Sequence, residues 1–470
     1  MSVVDVVDDG ALSEVARDAI RGAFARRGEC SFRLRRRRDF ADGRAGFPEV
    51  PEGASDELKE IARTSVLNMC GVAYRAFSNG LSVVGFRSPS AADDDPVWDW
   101  WQSQDLDARQ AEVYDATGTY GWSFVSVLPD GDSKAEARIW SPLDVDAVYA
   151  DPRHDRFPKS ATLWRRVRGG WSVFYVDETT VSEGFVKARK RKIESVEIRD
   201  SWEHGASFNG VPVVPVVKFA NERVADDCEP VGEVEPLIPL QKAITGVNFE
   251  RLVASRFSIF NQKVVIGWTA PRDQLLRASN SKVWTFEDHP SDVRVETLPS
   301  TPIAPYNELL RELKEQVALE ASIPIYQATG SVANVSENTV AMVDKAYEAK
   351  LTVKKDLLGE AWETVLRLAV AMTGGSEPSP SAEVVWRDNR ARSISVVVDA
   401  VQKLSAQGVP IGELIDLVPG ITQQRADAIR DGIRRQGVSA LVDRLRAQPV
   451  GGVPDDGQPA SQPASQPRTN

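Results

Sequence analysis

Cysteine and histidine are scarce in this chain of 470 residues, which contains three of each. The cysteines are far apart and no CxxC pair occurs, so the sequence indicates neither a disulfide framework nor a zinc site and fits a reducing compartment. The histidines are equally dispersed, and we expect each to be a surface or turn residue without a catalytic role. The six residues are Cys30, Cys70, Cys228, His154, His204 and His289.

Segments that direct a protein into a membrane are also missing. The first residues contain no basic stretch followed by an apolar run, so we expect no signal peptide. No apolar run approaches the length of a membrane span. The sequence therefore predicts no membrane partner.

Signatures of common catalytic sites are absent as well. No glycine is followed by lysine, which excludes a Walker A loop and argues against a motor ATPase. Neither GxSxG nor HExxH occurs. The acidic run at 93–95 is expected to be a solvated loop, and Glu312-Leu313-Lys314, part of a nuclease signature, lies in a helical pattern. We therefore expect no enzymatic activity, no cofactor and no metal site.

The net charge of −11 argues against a protein that holds nucleic acid tightly over a broad surface, because such surfaces are basic. It does not exclude a protein past which nucleic acid slides. The hydrophobic fraction of 42% and the charged fraction of 27% are ordinary for a soluble globular protein. The length suffices for two to four structural regions.

The first 52 residues begin with the pattern of a short amphipathic helix, formed by Leu12, Val15, Ala16, Ala19, Ile20 and Phe24. A basic run follows, comprising Arg33 and the arginines at 35–38. It can be a nucleic-acid patch, but a solvated helix face or a subunit contact is the favoured interpretation, because acidic residues follow closely.

Residues 55–220 mix helix and strand patterns. Helices are predicted at 55–80 and 96–117, on either side of a strand at 81–86. Further strands are predicted at 122–128, 137–140, 145–149, 161–168, 171–176, 192–199 and 211–219. The turn sequence Asp130-Gly131-Asp132 joins the first two. This pattern predicts an α+β domain with a mostly antiparallel sheet.

Two helix patterns, at 233–262 and 305–321, enclose a small mixed insert. Strands at 263–268, 282–286 and 293–298 and a short helix at 271–278 are predicted within it. A small polar loop follows, and then a long helix with Ser336 as N-cap and Gly374-Gly375 as the stop. This helix would span roughly 50 Å, which suggests a part in a large assembly.

The last hundred residues predict one strand at 382–386 and helices at 394–404, 411–417 and 423–435. Residues 418–422 resemble half of a helix-hairpin-helix motif, but Thr422 stands where a second glycine is usual, and an ordinary helix connection is favoured. Residues 448–470, rich in proline, glycine, glutamine and serine, are predicted to be disordered.

The order of these parts resembles the portal proteins of long-tailed, siphovirus-type bacteriophages, particularly those of actinobacterial hosts. The similarity covers roughly residues 30–445 and is carried by the segments 68–87, 98–127, 213–221, 231–238 (VGEVEPLI), 320–324 (EASIP) and 385–388. None of these segments has catalytic content.

The resemblance implies a fold with wing, stem, clip and crown regions. The wing would comprise 1–232, with 376–392 returning to it, and the stem helices would be 233–262 and 305–322. The clip would be 263–304, the tunnel loop 323–336, the long helix 337–375 and the crown 393–447, followed by the disordered tail 448–470.

The resemblance also implies a function and partners. About twelve subunits would form a ring at one capsid vertex, through which a separate terminase motor packages double-stranded DNA and through which the DNA later leaves. The implied partners are the terminase large subunit, the major capsid protein, the scaffolding protein and a head-tail connector or adaptor. The implied location is the virion, with the host cytoplasm during assembly.

Candidate residues follow from these regions. The tunnel loop would touch DNA through neutral groups and flex about a glycine, with Gln327, Thr329, Gly330, Ser331 and Asn334 as the candidates. Channel candidates on the stem are Lys242, Arg251 and Arg256, for which a salt bridge between subunits to Glu308, Glu312 or Glu315 is an equal alternative. Clip candidates for terminase or connector contacts, or plain surface charge, are Lys263, Arg272, Arg277 and Lys282.

Two other functions stay open from the sequence. One is another minor head or adaptor protein of the virion, which the stoichiometry of a closed ring would separate from a portal. The other, more remote, is a metal-dependent enzyme that processes nucleic acid with scattered carboxylates, against which the lack of a metal-ligand cluster argues.

Overall fold

The structure is a computed structural model that describes residues 9–88, 94–130, 134–189, 192–223, 229–258, 263–266, 294–297, 301–330, 337–375, 378–387, 394–415, 425–426 and 428–435. It divides into two compact units, residues 1–387 and residues 388–470.

The helices of the first unit are α1 (Asp9–Ala41), α2 (Asp56–Thr64), α3 (Met69–Asn79), α4 (Asp94–Ser103), α5 (Leu106–Tyr120), α6 (Ile238–Ser258), α7 (Ala304–Glu320), α8 (Ile325–Thr329) and α9 (Glu337–Met372). A 3-10 turn, Glu235–Leu237, leads into α6.

The strands are β1 (Val83–Arg87), β2 (Trp122–Asp130), β3 (Lys134–Trp140), β4 (Val145–Val148), β5 (Ser160–Val167), β6 (Gly170–Val176), β7 (Thr180–Arg189), β8 (Lys192–Glu203), β9 (Ser207–Phe208), β10 (Val211–Pro212), β11 (Val216–Ala220), β12 (Lys263–Ile266), β13 (Arg294–Thr297) and β14 (Glu383–Trp386).

All strand pairs among the described residues are antiparallel. The largest sheet is a five-stranded meander, β4-β5-β6-β7-β8, and a three-stranded sheet has the order β11-β2-β3. Three two-stranded pairs complete the set: β1 with β14, β9 with β10, and β12 with β13. The predicted α+β class is confirmed, although the strands form several sheets rather than one.

Two helices predicted as single pieces are each split in the structure. The pattern at 55–80 forms α2 and α3, because the Asn68 side chain accepts a hydrogen bond from Gly71 N and caps a new helix. The pattern at 96–117 forms α4 and α5, which are separated where Asp105 adopts a left-handed φ of 53°. Both breaks depend on single polar residues that hydrophobic periodicity does not register.

The first helix is much longer than predicted, with 33 residues in α1. It continues through the basic run because Leu34 and Ala41 are buried on the same face as Ile20 and Ala23 and arginine has high helix propensity.

Strand β7 was not predicted. Its alternation is interrupted by bulges after Glu183 and Lys187, which shift side chains between faces. The segment predicted as one strand at 211–219 is divided into β10 and β11.

The long helix α9 organises the main core. It has 36 residues, as the predicted length requires. The Trp362 ring makes edge contacts with Trp101 of α4 and Phe219 of β11, at centroid distances of 4.9 and 4.8 Å, and its Nε1 donates to Tyr114 Oη at 3.0 Å. The C-terminal half of α9 is therefore fixed among α4, α5 and the three-stranded sheet.

The second unit contains α10 (Ile394–Ala406), α11 (Ile411–Leu414) and helical residues at 425–426 and 428–435. Arg430 Nε donates to Gly412 O at 2.9 Å and joins the last helical segment to α11. The helix-hairpin-helix-like sequence at 418–422 and the predicted disordered tail lie outside the described residues.

Candidate functional site

Helices α6 and α7 form an antiparallel hairpin, which we call the stem hairpin. Arg251 Nη1 donates to Asn307 Oδ1 at 3.1 Å and links the late part of α6 to the start of α7. At the other end, Lys350 of α9 contacts both Glu233, just before α6, and Ala321 O, just after α7. The hairpin is therefore closed at both ends by polar contacts.

Buried amides attach the stem hairpin to the break between α2 and α3. Gln241 Oε1 accepts from Met69 N at 2.7 Å, and Gln241 Nε2 donates to Leu67 O at 2.8 Å. About two turns further on, Asn248 Nδ2 donates to Ser65 O at 2.6 Å. These side chains satisfy backbone groups left free at the break between the helices. Sequence analysis missed both amides, because polar residues inside an apolar stripe carry no signal of their partner.

The three predicted cations of the stem have different surroundings. Arg251 bonds Asn307, and Arg256 Nε forms an ion pair with Glu57 Oε1 at 2.7 Å. Lys242 is exposed. Within the chain, therefore, the two arginines pair with residues other than the glutamates predicted as their alternative partners.

The predicted tunnel loop begins with a turn that is partly helical rather than a continuous loop. Ser322 has a left-handed φ of 52°, Pro324 starts the single-turn helix α8, and Gly330 ends it with a φ of 71°. The loop prediction is thus wrong for residues 325–329. Proline followed by five residues and a glycine suits a short helix, which a composition-based loop prediction overlooks.

The described tunnel-loop candidates lie on this turn. Gln327 and Thr329 are half-buried and Gly330 is exposed. Thr329 Oγ1 donates to Ile325 O at 3.0 Å. Thr329 and Arg251 both line a cavity of about 230 Å³ at the base of the stem hairpin. Ser331 and Asn334 lie outside the described residues.

A buried ionic cluster holds the long helix where it passes the stem hairpin. The Glu233 carboxylate, 7% exposed, forms ion pairs with Lys350 Nζ and with Lys354 Nζ, the second at 3.6 Å, and accepts from Asn221 Nδ2 at 3.1 Å. Lys354 Nζ also donates to Asn221 O at 2.5 Å. We call these four residues the α9 anchor.

Electrostatic interactions within the α9 anchor favour the ionised carboxylate of Glu233 over its protonated form. Burial disfavours the charged carboxylate, but the positive charges of Lys350 and Lys354 outweigh it and lower the pKa of Glu233. Burial also lowers the pKa of Lys354, which the Glu233 charge only partly offsets. The cluster thus holds two ammonium groups on one carboxylate.

Three arginines of the basic run in α1 form ion pairs within the chain. Arg37 is buried; its Nε donates to Glu235 Oε2 at 2.9 Å. Arg33 forms an ion pair with Glu229, and Arg38 with Asp42. Arg33 and Arg37 hold α1 to the segment before α6, and Arg38 pairs locally at the end of α1. The neighbouring Arg35 and Arg36 are exposed. This use agrees with the preference for a structural interpretation over a nucleic-acid patch.

The clip candidates are described only in part. Lys263 begins β12, where it is the partner of Thr297 in β13. Arg272, Arg277 and Lys282 lie outside the described residues, as do the predicted elements at 271–278 and 282–286.

The histidine prediction holds for one residue and is wrong for another. His154 is exposed in a turn beside Asp151. His204 is buried, its Nε2 lies 2.9 Å from Asp177 O, and its Nδ1 accepts from Ala206 N. Burial lowers the pKa of His204, so it is a neutral structural residue at the end of β8.

The described part of the chain contains no candidate for two other kinds of site. No group of three or more histidine, cysteine or acidic residues there is arranged to hold a metal ion. No described helix combines the length and the apolarity that crossing a membrane requires.

Comparison with known proteins decides which family this architecture belongs to. The family model for phage portal proteins of the SPP1 Gp6-like type matches residues 82–437, which is more than half of the chain. The chain belongs to the phage portal protein family. The family membership makes it a structural component of the virion at the capsid vertex and confirms the resemblance seen in the sequence.

Curated relatives of this portal protein carry the same designation. The portal protein of Mycobacterium phage L5 is 23% identical over 417 residues, covering 82% of each chain. That of Mycobacterium phage D29 is 23% identical over 357 residues, covering 70% of each. Both relatives come from phages of actinobacteria.

Two solved structures that resemble part of this chain come from a gene transfer agent particle. A chain of the native virion matches with a TM-score of 0.42 and 12% identity, over 79% of this chain and 95% of the other. A chain from the neck of the empty particle, computed with C6 symmetry, matches with a TM-score of 0.44 and 12% identity, over 78% and 95%.

Proposed function

We propose that this portal protein forms a closed ring of about twelve subunits and that double-stranded DNA passes through its central channel. The family match over residues 82–437 is the observation that carries the proposal. In this ring the stem hairpin lines the channel, and α8 with the residues after it forms the narrowest point.

The attachment of these elements suits a channel that resists force. The stem hairpin is held to α2 and α3 by Gln241 and Asn248, and α9 is held by the α9 anchor and by the core around Trp362. A load on the loop before α9 would therefore pass into the three-stranded sheet of the wing rather than unfold the stem.

The charge of the chain suits passage rather than retention of DNA. Each lysine or arginine that neutralises a phosphate adds attraction and a barrier to release. The net charge is −11, two of the three stem cations are engaged within the chain, and the described tunnel-loop candidates are uncharged. Such a surface lets DNA slide.

We propose further that the ring receives DNA from a terminase motor, binds the terminase large subunit and the head-tail connector through the clip, and assembles with the major capsid and scaffolding proteins in the host cytoplasm. The wing is 1–232 with 376–392, the crown is 393–447, and no step requires catalysis by this chain. Lys263, Arg272, Arg277 and Lys282 are the clip residues whose charges would meet these partners.

Light scattering of the purified protein tests the ring. Twelve copies of a 51.6 kDa chain have a mass of about 620 kDa. A species of that mass is the expected result. A compact monomer, both alone and after addition of scaffolding protein, would overturn the proposal and favour an adaptor role. Metal-dependent nuclease activity in the same preparation would point instead to the enzyme alternative.

A further inference from the structure

The stem hairpin carries one uncovered stripe on each helix. The α6 stripe comprises Lys242, Gly246, Phe249 and Val253, of which Lys242 is exposed and the others are half-buried. The α7 stripe comprises Leu309, Glu312, Gln316 and Leu319, all exposed. Leu319 is 73% exposed and Leu309 is 43% exposed.

The two stripes lie on opposite edges of the hairpin. Arg251 and Asn307 mark the sides on which α6 and α7 face each other. At about 100° per residue, every stripe position lies roughly 120–180° around its helix from that facing residue. A body with two different uncovered edges can contact one copy on each side, as head-to-tail association requires.

Residues of the two stripes also lie at the same positions along the hairpin axis. The helices are antiparallel with Arg251 level with Asn307, and both rise by the same amount per residue. Phe249 is then level with Leu309, Gly246 with Glu312, and Lys242 with Gln316. In a ring whose axis is parallel to the hairpin, rotation preserves the position along that axis, so the same pairs meet between neighbouring copies.

Charge adds complementarity to this match. Helix α6 carries Lys242, Arg251 and Arg256 against Glu250, a net charge of +2. Helix α7 carries Glu308, Glu312, Glu315 and Glu320 against Arg311 and Lys314, a net charge of −2. Neither Lys242 nor Glu312 forms an ion pair with any other residue that the structure describes. Gly246 has open space around it, so a neighbouring helix can approach closely there.

From these observations we infer that the α7 stripe of one subunit packs on the α6 stripe of the next. Leu309 covers Phe249, Glu312 lies over Gly246, and Lys242 forms an ion pair with Glu312 across the contact. The inference rests on the proposed ring and specifies which surfaces of this chain close it.

Cysteine crosslinking tests the contact directly. The variant Gly246→Cys/Glu312→Cys should give, on oxidation, a ladder of covalent oligomers in a denaturing gel. The unmodified chain and each single variant should give no ladder, which controls for Cys30, Cys70 and Cys228. The pair Arg251→Cys/Asn307→Cys should bridge within one chain and leave the monomer band. Rings of full mass without a ladder would overturn the inference and leave the proposed function standing. Absence of any ring would overturn both.

Charge exchange supplies a second, independent test. Lys242→Glu and Glu312→Lys should each reduce the yield of rings at least about tenfold, because each places like charges in every interface. The double variant should restore the yield. Lys345→Glu, at an exposed position of α9, is the matched control and should assemble normally. A double variant no better than either single variant would contradict the assigned pairing.

Discussion

At the scale of single residues, the α9 anchor is the most consequential arrangement in the chain. The Glu233 carboxylate forms ion pairs with two buried ammonium groups and accepts a hydrogen bond from one amide. Breaking a buried ion pair by removing one partner leaves an uncompensated charge, which costs far more than the pair itself contributes. The anchor is therefore sensitive to a change that preserves shape and alters only charge.

We expect Glu233→Gln to lower the free energy of unfolding of the first unit by about 3–5 kcal/mol, because Lys350 and Lys354 stay buried without a counter-charge. Urea denaturation at pH 7 measures this change. Asp18→Asn is the matched control, since it removes an exposed ion pair with Arg21 and should change the free energy by about 0.5 kcal/mol or less. Equal effects of the two variants would show that the α9 anchor contributes no more to the free energy of unfolding than an exposed ion pair does.

The wild type and the Glu233→Gln variant should respond differently to acid. The pKa of Glu233 is lower in the folded state than its unfolded value of about 4.3. The stability from this carboxylate is therefore present above about pH 4.3 and is lost as the pH falls through the folded pKa. The difference between wild type and Glu233→Gln should shrink below about pH 4 in denaturation experiments. A difference that stays constant down to pH 2 would contradict the assignment.

Alanine substitutions at two glycines of similar backbone conformation distinguish the cost of a steric clash from the cost of backbone strain. Gly121 has φ 100° and a Cβ there would lie 2.3 Å from Pro230 O, whereas Gly169 has φ 88° and open space. We expect Gly121→Ala to destabilise the chain by about 3–5 kcal/mol through the clash and Gly169→Ala by about 1 kcal/mol through the backbone alone. Thermal denaturation of both variants measures this. Similar shifts would mean that the segment at Pro230 moves freely.

At the scale of elements, the long helix has one half buried and one end beside the proposed channel. Residues such as Leu358, Trp362 and Val365 are fully buried, and the α9 anchor precedes them. The loop before α9 can therefore change without removing the contacts that hold the wing. This separation gives the tunnel-loop proposal a specific consequence.

Shortening residues 328–335 should impair DNA packaging while ring assembly continues, because the stem hairpin and the α9 anchor lie outside the deleted segment. Packaged DNA per capsid and ring mass are the two measurements. Loss of ring assembly in the shortened variant would show that the loop has an assembly role instead.

A single added charge on α8 should change how DNA leaves the particle. Gln327→Lys introduces one cation per subunit at the proposed narrowest point, and each cation near the phosphates adds attraction that salt weakens. We expect slower ejection at low salt and normal ejection at high salt, measured by DNA release from filled particles. Thr352→Lys, at an exposed position of α9, is the control. Ejection at the normal rate at every salt concentration would contradict contact between α8 and DNA.

Hydrophobic periodicity predicted the long elements and failed at short-range polar detail. The pattern of α9 was regular enough to give its length, and the pair α6 and α7 followed from the same spacing. The breaks at Asn68 and Asp105 depend on a cap and a left-handed residue, and the bulges of β7 disturb the alternation that marks a strand.

The sequence predicted which segments form the candidate site, but it did not predict which residues of those segments bond to each other. The stem cations were identifiable as charges on amphipathic helices, but their partners Asn307 and Glu57 are set by packing between segments far apart in the sequence. Glu233 stands in the segment VGEVEPLI that carries the family resemblance, yet its lysine partners follow more than a hundred residues later. Such pairs become visible only in three dimensions.

At the scale of the whole molecule, we propose a wing that holds the stem hairpin and the loop before α9 around a channel. The hairpin is fixed by Gln241, Asn248 and the α9 anchor, and its two outer stripes are available for copies of the same chain. An acidic chain with few unpaired stem cations is suited to let DNA slide rather than to retain it.

Electron microscopy of the purified assembly tests this central claim most directly. We expect a closed ring with a central hole of at least about 20 Å, wide enough for duplex DNA, with α6 and α7 of neighbouring subunits packed around it. A solid particle, an open filament, or a ring whose hole is lined by the β-sheets instead of the stem hairpin would contradict it.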